Sequence, residues 1–121
     1  MALLRVSVDI PSEGQRAVCL AQECDCFPVS SQSKVGVALS TIGMKPINGL
    51  RHPLHADATG WYIWCGEEFC DAPDFFQALC VEHLLESLPD VADFLALPPG
   101  YRFLVHGTYR DVWFDEQLLK V

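Results

Sequence analysis

The residues best equipped for chemistry fall into four small groups. His52 and His55 are separated by two residues, with Asp57 just beyond. Imidazoles and a carboxylate are ordinary transition-metal ligands, but a closed site needs a further ligand that the sequence does not identify, so both histidines read as surface-loop residues. Six cysteines stand at 19, 24, 26, 65, 70 and 80. Neither Cys24-Asp25-Cys26 nor the Cys65 to Cys70 spacing reproduces the paired two-residue spacings of zinc ribbons and fingers. Buried, reduced thiols are the expectation. Cys80 and His83 would lie one turn apart on a helix, the arrangement of a thiol beside its base. A nucleophilic thiol also needs access, a lowered pKa and an oxyanion donor, and a mid-helix, buried Cys80 would have none of them. Glu67 and Glu68 are neighbours at a strand end, so their side chains point apart rather than pairing for acid-base work. With no Gly-rich phosphate loop, Ser-nucleophile elbow or His-Glu zinc-protease helix, the reading is non-enzymatic, with no catalytic residue, cofactor or metal. A metal-binding protein or small hydrolase using His52, His55, Asp57 and the cysteines is the alternative.

The whole chain limits the partners. Its 121 residues fit one domain, 1–121, and 50% of them are apolar, against disorder. Sixteen acids face eight Lys and Arg, a net charge of -8. Phosphate contact needs clustered basic residues, and none cluster here, so nucleic acid is not an expected partner. No apolar run has the length of a bilayer crossing and the N-terminus does not read as a secretion signal, so no membrane role and a cytoplasmic location are expected. An acidic surface suits steering toward a basic protein.

The elements that must position these groups centre on Gly60-Trp61-Tyr62-Ile63-Trp64-Cys65-Gly66. As a strand it puts Trp61, Ile63 and Cys65 on one face and Tyr62 and Trp64 on the other, both apolar. Leu4, Val6, Val8 and Ile10 alternate as a half-buried strand that Pro11 to Gly14 ends. Residues 16–22 fit a strand or a short helix. Lys34 to Ser40 reads as a strand in which Gly36 and Ala38 admit a close neighbour. Thr41 to Thr59 is too long for a plain connection and is either functional or hides a strand near Pro46-Ile47-Asn48. A helix is expected from an Asp71 cap, with Pro73 in its first turn, through Leu88. Its exposed stripe would carry Ala78, Glu82 and Glu86. A second short helix starts at Ser87 to Asp90 and stops at Pro98-Pro99-Gly100, and a hairpin turns at Gly107-Thr108. The sum is an α+β domain: a mostly antiparallel sheet, two consecutive helices and a C-terminal hairpin.

Several of these residues carry a family likeness. Lys34-Val35-Gly36-Val37, Gly60-Trp61, Gly66-Glu67-Glu68, Pro73-Asp74, Pro89-Asp90-Val91 with Phe94-Leu95, and Pro98 with Gly100 resemble an immunity-protein domain. It is similar to the family numbered thirty-three in bacterial polymorphic-toxin systems and to the uncharacterised domain class overlapping it. The likeness runs over about 34–116, leaving 1–33 as an N-terminal segment outside it. It implies a small cytoplasmic protein that binds a cognate toxin domain and occludes it, with an accessory or regulatory domain of other partnership as the alternative. The contact candidates are Glu67, Glu68, Asp71, Glu82 and Glu86, with the Arg51-His52 loop as a second surface.

Overall fold

The computed structural model describes residues 10–55, 58–70 and 72–120. Of the expected first strand, only Ile10 falls among them. The elements are helix α1 (Glu13–Ala21), strands β1 (Lys34–Val37), β2 (Ile47–Arg51), β3 (Ala58–Cys65) and β4 (Gln77–Cys80), helix α2 (Val81–Ser87), and strands β5 (Tyr101–His106) and β6 (Tyr109–Phe114). Short 3-10 turns occupy Leu39–Thr41, Pro89–Phe94 and Glu116–Leu119. The strands form one sheet in the order β4-β1-β3-β2-β5-β6. Among the described residues only β1 and β3 pair in parallel; the other pairings are antiparallel. This is the expected α+β class.

The central strand β3 divides its faces as its alternation requires. Trp61, Ile63 and Cys65 point inward with Val35, Val37, Ile47, Phe103 and Val105, under a layer made by α1, α2 and the Pro89–Phe94 turn. Phe94 stacks on Phe103 at 4.6 Å, and Trp61 donates its indole N–H to the Leu95 carbonyl at 3.0 Å. The indole is therefore buried with its polar atom satisfied, the condition for placing Trp in a core. Tyr62 and Trp64 point to the opposite, outer face. Gly36 faces Tyr62 there, and a Cβ at Gly36 would meet the Tyr62 ring at 2.7 Å, the close approach its size foretold.

Two elements differ from the sequence reading. The single helix expected from Asp71 to Leu88 is a turn, a strand and a shorter helix. Asp71, the expected cap, lies outside the described residues, and Pro73 sits in a turn closed by Phe75 N–H to the Ala72 carbonyl at 3.1 Å. Gln77–Cys80 then pairs with the edge of β1, Lys34 opposite Cys80 and Val37 opposite Gln77. An open strand edge needs partners for its backbone groups, and that demand overrides a helical pattern that was apolar almost all round. Ala78 accordingly belongs to a strand and not to the stripe of Glu82 and Glu86. Residues 13–21 resolve as helix, with a readable cause: the Ser12 hydroxyl accepts from Gln15 N–H while Gln15 Oε1 accepts from Ser12 N–H. That Ser-x-x-Gln capping box is a helix start signal in the sequence itself.

The long connection does hide a strand. β2 lies between β3 and β5, with Ile47 opposite Cys65 and Arg51 opposite Trp61.

Candidate functional site

The sheet separates the acidic candidates. Glu82 and Glu86 are exposed on α2, which covers the inner face; Glu82 accepts from Gln32 Nε2 at 3.5 Å. Glu67 and Glu68 are exposed beyond Gly66, in the segment that folds over the outer face. That segment is built from aromatics. Phe69, Phe75 and Phe76 pack against one another, edge-on except for the tilted Phe69–Phe76 pair, and Phe69 and Phe76 meet Trp64 edge-on, with ring centres 4.9 to 6.2 Å apart. Phe76 also meets Tyr62 at 5.1 Å, and Tyr62 meets His52 at 5.6 Å. The cover is incomplete: Phe69 is 56% and Tyr62 37% exposed. A hollow of about 190 Å³ opens among Leu50, His52, Tyr62, Phe69 and Phe76. Sequence reasoning assigned Tyr62 to the core or to a partner; the structure leaves it half in each condition.

Arg51, expected on a surface loop, is 1% exposed and part of β2. Its guanidinium donates to the carbonyls of Thr59 (2.8 Å), Phe27 (2.9 Å) and Leu97 (2.7 Å), and lies 5.6 Å from the centre of the Trp61 ring. Burial pulls it down to about 10, far enough above neutral that it stays charged. Three carbonyl dipoles replace a carboxylate as its partners. Arg51 is therefore a staple joining β2, β3, the stretch after α1 and the stretch before β5, and is not free for a partner. His52, the next residue, sits half-buried with Nδ1 at 2.9 Å from the Leu118 carbonyl. His55 is exposed, and Asp57 lies outside the described residues. Among the described residues no three His, Cys, Asp or Glu side chains gather as a metal ion requires.

The cysteines are free thiols. Cys19 is pushed well up, first by burial and then by Cys26 and Cys24 beside it; burial also raises Cys65, and Tyr101 is raised by burial and then by Cys24. Raised thiols are poor nucleophiles at neutral pH. Cys80 is not in mid-helix: it is the residue before α2, with extended backbone, and its Sγ is 3.2 Å from Nδ1 of an exposed His83. The helix begins at Val81 because Cys80 is held in β4, which brings thiol and imidazole into contact. Neither residue lines the hollows of the outer face.

One family model spans β1 to β6 and nearly all of the helical layer. The model of the Imm33-like domain matches residues 14–115. The chain belongs to the Imm33-like family. The match opens within α1 and closes at the residue after β6, so the Imm33-like domain takes in the capped helix as well as the sheet whose motifs carry the resemblance. The chain matches no curated protein and no solved structure. Among the described residues of this Imm33-like domain no helix is long and apolar enough to cross a membrane.

Proposed function

We propose that this Imm33-like chain is a non-enzymatic cytoplasmic immunity protein that binds a cognate toxin domain and neutralises it by occlusion. The match over residues 14–115 carries this reading. The charge balance supports it: sixteen acids against eight Lys and Arg favour encounter with a basic toxin surface. Glu67, Glu68, Glu82 and Glu86 are exposed and free to make such contacts, and Asp71 belongs to the same acidic segment as the first pair. Arg51 leaves the contact set because its donors are spent inside, and His52 contributes only the ring edge it shows beside Tyr62. Occlusion needs no reactive group on the immunity protein, only a surface complementary to the toxin.

The test is co-expression with a candidate toxin domain taken from the genes flanking this chain's own. Cells carrying both are expected to grow where cells carrying the toxin alone do not, and the purified proteins are expected to form a complex that weakens as salt rises. Growth arrest despite abundant folded immunity protein, with no complex at low salt, would reject the reading.

A further inference from the structure

The outer face of the sheet carries a feature that the acidic residues alone do not explain. A core strand spends its aromatic residues on burial, yet here Tyr62 of β3 is 37% exposed and Phe69 of the covering segment 56% exposed, with Phe76 packed against both and His52 against Tyr62. Around them lies the hollow of about 190 Å³. Phe69 also borders a second depression of about 650 Å³, lined among others by Glu67, Glu68 and Lys45. Aromatic rings attract cations, and the carboxylates of Glu67 and Glu68 in the adjoining depression add a second attraction of the same sign, two acids against the single Lys45. An aromatic hollow with an acidic approach is thus complementary to a cationic side chain, and an immobile aromatic anchor site is the usual energetic centre of a protein interface.

We propose that the Tyr62-Phe69-Phe76 hollow receives an arginine or lysine of a basic toxin domain, with Glu67 and Glu68 guiding it in, and that α2 stays outside the interface. This rests on the toxin-neutralising reading and goes further by choosing one side of the sheet. The exposed acids of the other side, Glu82 and Glu86, have the charge but no comparable aromatic surface, because the side chains of α2 that could supply one, Val81, Leu84 and Leu88, face the core.

The experiment measures binding of the full chain to the neighbouring-gene toxin domain, inactivated in its own active site, across a range of salt. Phe69→Ala is expected to weaken Kd by about 30-fold, the loss typical of an interface anchor. The pair Glu67→Lys and Glu68→Lys is expected to slow association about tenfold and to flatten its salt dependence. The pair Glu82→Lys and Glu86→Lys should stay within about twofold of the unaltered chain, as expected of charges outside an interface. A thermal melt checks each variant; the Glu67 and Glu68 changes touch no packed side chain, so they decide the matter even where Phe69→Ala is poorly folded. Unaltered binding by the outer-face variants, with loss confined to the α2 pair, overturns the choice of face and leaves neutralisation standing. Failure of the unaltered chain to bind removes both. A dimer in sedimentation that Phe69→Ala dissolves identifies a second copy of this chain as the occupant and also overturns the proposal.

Discussion

Replacing Arg51 isolates the largest single polar commitment in the described interior. The guanidinium makes three hydrogen bonds of 2.7 to 2.9 Å to main-chain carbonyls. Hydrogen bonds to a charged group contribute about 2 kcal/mol each, so together they stand for about 6 kcal/mol. Opposing them is the cost of burying the charge. The lowering by burial from the ordinary guanidinium value to about 10 corresponds to about 3 kcal/mol against the charged form. Arg51→Met removes both terms, keeps much of the stem packing against Trp61, and is expected to lower stability by about 3 kcal/mol. Arg51→Lys keeps the charge but cannot reach three divergent carbonyls with one ammonium, so it should cost at least as much as Met. Equilibrium unfolding in urea, followed by Trp fluorescence, gives both numbers. A loss under about 1 kcal/mol for Met, or a Lys variant as stable as the unaltered chain, would refute the staple. The pH dependence has a definite sign. Arg51 is lowered in the folded state, so the unfolded chain holds that proton more tightly. Its cost to stability is complete below about 10 and is relieved only as pH rises from there toward the ordinary guanidinium value. Arg51 should therefore add no slope between pH 6 and 9, the range in which the two proteins would be compared.

Further outcomes concern the backbone, the thiols and α2. Gly60 holds a positive φ of 89°, and a Cβ there would strike the His52 carbonyl oxygen, so Gly60→Ala should cost at least about 2 kcal/mol in the same urea assay. Cys70 is the one exposed cysteine, while Cys19 and Cys65 are buried and raised. A thiol reagent at neutral pH should show its fastest phase at Cys70, removed by Cys70→Ser, slower reaction at the partly buried Cys24 and Cys26, and reaction of Cys19 and Cys65 only on unfolding; labelling of Cys19 or Cys65 in the folded chain, read by peptide mapping, contradicts the burial. Glu82 and Glu86 repel across one turn of α2, so Glu86→Lys should raise stability by about 0.3 kcal/mol at low salt. That gain should fade in high salt, and thermal melts at two ionic strengths would reveal it.

What the sequence determined by itself was alternation and punctuation. The two-faced strand at 61–65, the hairpin around Gly107-Thr108, the stop at Pro98-Pro99-Gly100 and the close approach at Gly36 all follow from local chemistry, because strand period, turn residues and glycine size act within a few residues. The capping box at Ser12 and Gln15 also lies in the residues, but the reading left 16–22 open between strand and helix, and the structure decided for α1. The family motifs from Lys34 to Gly100 were likewise present in the residues alone. Only the tertiary structure decided matters that depend on a distant partner. Gln77–Cys80 became a strand because β1 offered an open edge some forty residues earlier, and that choice moved Cys80 out of a helix and onto His83. Arg51 looked like a loop cation beside two histidines until β2 was placed between β3 and β5, where carbonyls from three separate segments converge on it. The candidate site followed the same division. The acids were visible as acids, but their distribution over opposite sides of one sheet, and the hollow among Tyr62, Phe69 and Phe76, exist only once the chain has folded. Charge is a property of residues; a binding face is a property of their arrangement.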